Sequence, residues 1–208
     1  METNTISYLK AALAHARDKH RRAMLALAPK HVGGEWESYA VARQDLYTAE
    51  RELARAEGRP YAIPCECPIS WDIGDPAPTL LQSDHNALLF FRLVNDDHHV
   101  GRIVFKGLSS SSLGAPNDET FAGHPLFGSG FEHSCAMQVI NSSWVAQLIR
   151  MNSVHPRHNP SFYSSKKHFV FPFHDTTFEC IAESFTTAKV PLRLPEALRD
   201  AVSLLPIE

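Results

Sequence analysis

The densest run of side chains able to bind metals or move protons lies between His155 and Glu179. His155-Pro156-Arg157-His158 is an H-x-x-H, His168 and His174 follow it, Asp175 adjoins His174, and Glu179 comes shortly after. Two or three neutral imidazoles with a carboxylate suit a first-row ion such as Zn(II) or Fe(II). This pattern points to a divalent metal ion on His155, His158, His174 and Asp175, with Glu179 as a further ligand or as general base. His168 falls outside that set. It shares a predicted strand and a face with His174, and at about 3.3 Å per residue the two stand roughly 20 Å apart, too far for one ion.

A second group occupies a glycine- and serine-rich stretch, where Pro116-Asn117-Asp118-Glu119 is followed by Gly123-His124-Pro125-Leu126. Asp118 and Glu119 near His124 are the residue types of general acid–base catalysis. Asn117 and Asp118 equally suit the cap of a helical turn, and capping is the stronger reading for those two. The whole stretch from Gly107 to Gly130 reads as a long loop over a site. Trp71-Asp72-Ile73-Gly74 reads as a packed turn. Familiar templates fail: there is no G-x-S-x-G nucleophile elbow and no glycine-rich phosphate fingerprint. Cys65, Cys67, Cys135 and Cys180 fit neither a disulfide framework nor a zinc knuckle and read as free thiols of a cytoplasmic protein.

The elements that must position these groups follow from periodicity. Ile6, Leu9, Leu13, Ala16, His20, Ala23 and Leu27 recur at steps of three and four, and Tyr39, Ala42, Leu46, Ala49, Leu53 and Ala56 repeat the pattern. Joined by a short segment with Pro29, Gly33 and Gly34, the two stripes predict an antiparallel helical hairpin over residues 1–58. A two-helix hairpin buries too little alone, so it must pack on the rest of the chain or on a second copy. Residues 59–208 read as an α+β domain, a mainly antiparallel sheet with one or two packed helices. Strands are predicted over 87–94, 100–105, 135–140, 167–173 and 178–182. A helix capped by Asn141 or Ser142 is predicted through roughly Met151, with Trp144, Leu148 and Met151 on one side, and another from Pro195 to Leu205, with Leu198, Val202 and Leu205 on one stripe. The proline-rich segment 61–83 reads as irregular but ordered.

The phrases WDIG (71–74), PNDE (116–119), GHPL (123–126), NSSW (141–144), NSVHP (152–156) and HFVFPFHDTTFEC (168–180) together resemble an uncharacterised bacterial protein family. The resemblance covers roughly residues 68–185 and leaves the hairpin outside. It implies a shared domain and brings no activity with it.

A net charge of −3 shows no basic field of the kind a nucleic-acid binder carries. No apolar run approaches the roughly 18 residues of a membrane span, and the N-terminal segment lacks the apolar core of a secretory signal. The expected partners are therefore a small-molecule or peptide substrate, or a protein, including a second copy docked through the hairpin, rather than nucleic acid or membrane. The leading expectation is a metal-dependent enzyme. The rival is a non-catalytic interaction protein, such as an immunity or accessory subunit, with structural histidines.

Overall fold

The two apolar stripes form α1 (Glu2–Ala26) and α2 (Glu35–Ala56). The computed structural model describes residues 2–27 and 34–203, so the connection through Pro29 and Gly33 lies outside the described residues. Leu13, Ala16, Ala49 and Leu53 are buried in one seam, with Ile6, Leu9 and Leu46 packed against it. The ion pairs Lys10–Glu57 and Lys19–Asp45 bind opposite ends, so the helices run antiparallel.

The chain divides into two compact units, one running up to Ile63 and including Pro125–Glu132, the other comprising Pro64–His124 and the residues from His133 onward. In the first unit, α2 holds the 125–132 segment through polar groups. Arg51 Nε donates to the Ala62 carbonyl at 2.8 Å, its Nη2 donates to Gly130 O at 3.2 Å, and the same guanidinium pairs with Glu132. Glu50, a buried carboxylate, accepts the Gly130 N–H at 3.2 Å. Gly130 has φ +78°, and a Cβ there would overlap the Arg51 side chain, so this position needs glycine on two grounds.

The second unit is built on two antiparallel sheets. The strand β1 (Tyr61–Pro64) carries the chain into it. The first sheet has the order β2 (Thr79–Gln82), β3 (Asn86–Leu93), β4 (Asp96–Lys106) and β9 (Ser184–Val190). In the other, β6 (Met137–Ile140), β7 (Lys167–Pro172), β8 (Thr177–Ala182) and β5 (Ser110–Gly114) are neighbours in that order. Alternation along the strands sends Ala87, Leu89, Phe91, Ile103 and Phe105 from one sheet toward Phe169, Phe171, Phe178 and Cys180 of the other, giving an aromatic-rich core. Phe105 alone lies within 6.3 Å, ring centre to ring centre, of Phe169, Phe171, Phe178 and Phe185. The run ALLFFRLV is apolar on both faces because β3 is covered on both: Leu88 and Phe90 pack outward on α4 (Leu194–Val202). Gly101 lies opposite Phe91, whose ring fills the space a Cβ would need.

Several expected elements differ. The stretch 107–130 is not one loop: its first part is β5, an edge strand paired with β8, and Phe121–Gly123 forms a short 3-10 turn. The segment 61–83 contains β1 and β2, and β9 follows β8 directly. The helix α3 (Ser143–Asn152) is capped by Ser142 as expected, but Met151 is 61% exposed, so its inner side is Trp144, Val145, Leu148 and Ile149. On α4 the buried positions are Ala197 and Ala201, with Leu198 alongside; Val202 is 49% exposed, and Leu205 lies outside the described residues.

Candidate functional site

The β7–β8 hairpin turns at His174–Thr176 and pairs Val170 with Glu179 and His168 with Ile181. Phe169, Phe171, Phe178 and Cys180 point into the core, so His168, Val170, Glu179 and Ile181 share the opposite face. His168 and Glu179 are diagonal neighbours across the strand pair, a separation long side chains span. His168 Nε2 lies 2.8 Å from Glu179 Oε2. On the same carboxylate, Oε1 is 3.4 Å from Nε2 of His124, which the chain presents directly after the 3-10 turn.

A further group meets His168 from the other side. Strand β6 pairs Val139 with His168, and the chain then turns sharply through Asn141, at φ 56°, into α3. The first residue after that turn is Ser142, whose Oγ stands 2.9 Å from His168 Nδ1 and accepts the Val145 N–H at 3.2 Å. The Trp144 and His168 rings meet nearly perpendicular at a centroid distance of 5.3 Å. The four groups thus form one chain, Ser142–His168–Glu179–His124.

Burial and hydrogen bonding compete over the charge on Glu179. His124 and His168 are 5% and 7% exposed, and the Glu179 side chain 24%. Burial pushes the Glu179 carboxyl upward, but the hydrogen bonds from His124 and His168, and the charge those rings can carry, outweigh it and bring the group down to about 2. An ionised carboxylate only accepts, so each ring donates through Nε2–H. In the neutral His168 ring, Nδ1 is then left as an acceptor, and the Ser142 hydroxyl donates to it. A hydroxyl beside an imidazole nitrogen whose other nitrogen is held by a carboxylate is the arrangement that activates a nucleophile or relays a proton.

The other residues singled out by sequence stand elsewhere in this unit. His174 has Asp175 Oδ1 2.9 Å from Nδ1 and Asp118 Oδ2 3.5 Å from Nε2; the Asp175 hydrogen bond and the Asp118 charge raise its pKa. Glu119 is exposed. Asn117 Oδ1 accepts the Thr120 N–H at 3.1 Å and braces the turn before the 3-10 segment, whose N-cap, Thr120, makes no side-chain cap bond. His155 and His158 line a groove of about 470 Å³ with Arg157, Phe162, Tyr163 and Lys166, and His155 Nδ1 accepts the Arg157 N–H at 3.1 Å. Among the described residues, no group of three or more His, Cys, Asp and Glu side chains is arranged to hold a metal ion. Asp72 closes a turn, accepting the N–H groups of Gly74 and Asp75, but the turn is not packed as expected: Trp71 is buried while Ile73, Gly74 and Asp75 are exposed.

Of the candidate residues, the structure brings His124 and Glu179 together and leaves Asp118 with His174. It adds His168 and Ser142. The signal for His168 was present in the alternation of 167–173 and 178–182, which puts it and Glu179 on one face; Ser142 could be read only as a cap. Compared with family models, curated proteins and solved structures, the chain finds no match.

Proposed function

We propose that the protein is an enzyme acting on a small molecule or peptide, with an acid–base centre made by His124 and His168 on the shared carboxylate of Glu179. The observation that carries this reading is that one ionised carboxylate takes the Nε2 atoms of two buried imidazoles while a hydroxyl occupies the far nitrogen of one of them. A purely structural histidine is satisfied by one carbonyl and does not require such a chain. Glu179 is the positioning residue, His168 exchanges protons with substrate, and the buried His124 helps hold the carboxylate.

Turnover of a panel of esters, amides, phosphoesters and glycosides tests it. His168→Ala is expected to lower the rate about 100-fold or more, the scale of a lost acid–base group. Glu179→Gln is expected to move the pH profile of whatever rate remains. Variants that keep both rate and profile contradict the reading.

Metal chemistry enters the same assay as a distinct outcome. The ion expected from sequence is a divalent first-row metal such as zinc or iron on His155, His158, His174 and Asp175, and binding it would require His174 to give up its pairing with Asp118 or Asp175. Chelator treatment leaves the rate unchanged under the acid–base reading. A rate lost to chelator, restored by Zn(II) or Fe(II) and abolished by His174→Ala assigns the metal-dependent reading instead. A wild-type protein that turns over nothing in the panel favours the second reading, an interaction protein docking a second copy through the hairpin.

A further inference from the structure

The chain of groups at Glu179 opens onto solvent on its Ser142 side. A groove of about 440 Å³ runs beside α3, with Ser142 and His168 among its lining residues. Val139, Val145 and Ile149 give it apolar walls, and Lys166 and Lys167 stand on its lining as well. Lys166 is tied to Gly107 O at 2.7 Å and to Glu183 at 3.0 Å, whereas Lys167 is exposed.

We propose that Ser142 is a nucleophile for acyl transfer, and that this groove takes an ester or thioester with an apolar acyl group and an anionic portion near Lys167. The proposal rests on the acid–base reading of His168 and Glu179 and names its substrate class. Ser142 is placed for the task by three features. Its Oγ stands 2.9 Å from His168 Nδ1, the same oxygen accepts the Val145 N–H, and it begins a helix whose first-turn N–H groups lack carbonyl partners within the helix. Donors of that kind stabilise an oxygen that becomes negative during acyl transfer.

The step balances within these groups and water. As Ser142 Oγ bonds to the acyl carbon, its proton passes to His168 Nδ1, and the carbonyl π pair moves onto the carbonyl oxygen. That pair returns as the bond to the leaving oxygen or sulfur breaks, and the leaving group takes the proton from Nδ1. Water then attacks the acyl-serine, gives its proton to Nδ1, and the Ser142 oxygen leaves and recovers it. Ester plus water become acid plus alcohol, with no redox change. Glu179 holds the His168 tautomer throughout.

The test must separate a nucleophile from a helix cap, because Ser142 is both. Asparagine caps a helix about as well as serine but carries no nucleophilic hydroxyl, so Ser142→Asn removes one role and keeps the other. Full-length protein is treated with an alkyl fluorophosphonate, mapped by mass spectrometry, and assayed on p-nitrophenyl butyrate. The expected result is a single phosphonyl adduct on Ser142. In Ser142→Asn the adduct is absent and ester turnover falls about 100-fold or more, with the melting temperature retained; in His168→Ala labelling is slow. An adduct elsewhere, no adduct on the wild type, or Ser142→Asn turning the ester over at the wild-type rate overturns the proposal. Ester turnover that survives Ser142→Asn but still needs His168 overturns only the nucleophile and leaves the acid–base centre standing.

Discussion

Glu179 joins local geometry to stability because its carboxyl is held at about 2 by His124 and His168 in spite of burial. A carboxylate depressed below its ordinary value of 4.5 contributes stability in full above 4.5. That contribution is lost as pH falls from about 4.5 toward about 2, because the unfolded chain takes up the proton first. The gap corresponds to roughly 3 kcal/mol. Urea unfolding across this acid range is expected to show a steeper loss of stability for the wild type than for Glu179→Gln, and equal slopes would show that the two imidazoles do not hold the carboxyl. At this scale the sequence was half legible. His124 and Glu179 stood out by type, but 55 positions separate them and only the fold pairs them. His168 was set aside because it is too far along the strand from His174 to share an ion. That spacing says nothing of the diagonal neighbour across the hairpin, which is where its partner lies.

At the scale of elements, periodicity was informative wherever burial was one-sided or complete. The two helical stripes, the alternation of 167–173 and the continuous run 87–94 each became the element they imply. Ser110–Gly114 was illegible for a physical reason: an edge strand with a polar face and serine at most positions carries the composition of a loop. The polar clamp on α2 was equally hidden, since 81 positions separate Arg51 from Glu132 and only the fold pairs them. Their side chains are 17% and 9% exposed, and Arg51 also satisfies two backbone carbonyls. Arg51→Ala leaves a buried carboxylate and two carbonyls without that donor, and is expected to destabilise the first unit by about 3 kcal/mol. Surface arginines such as Arg21, by contrast, are expected to be worth about 0.5 kcal/mol or less. Chemical denaturation of the two variants compares them directly, and similar losses would mean that the clamp is no stronger than a surface ion pair.

Over the whole molecule, the α+β organisation with an N-terminal hairpin was legible from composition and periodicity, while the face-to-face arrangement of two sheets was not, because β1, β2, β5 and β9 carry weak signals. That arrangement gives the site its setting. The aromatic core occupies the inner face of the β6–β7–β8–β5 sheet, and the outer face presents His168 and Glu179 where α3 and the 3-10 turn deliver Ser142 and His124. The central claim is that these four groups form one proton relay with a defined hydrogen pattern. Long-range nitrogen–proton NMR on histidine-labelled protein reads that pattern directly, at a pH well above the ordinary histidine value of about 6.5. The expected spectrum shows His168 and His124 as neutral rings carrying hydrogen on Nε2, with His168 Nδ1 bare, and loss of this pattern in Glu179→Gln. A His168 ring that carries its hydrogen on Nδ1 in the wild type would turn Ser142 from donor into acceptor and contradict the relay.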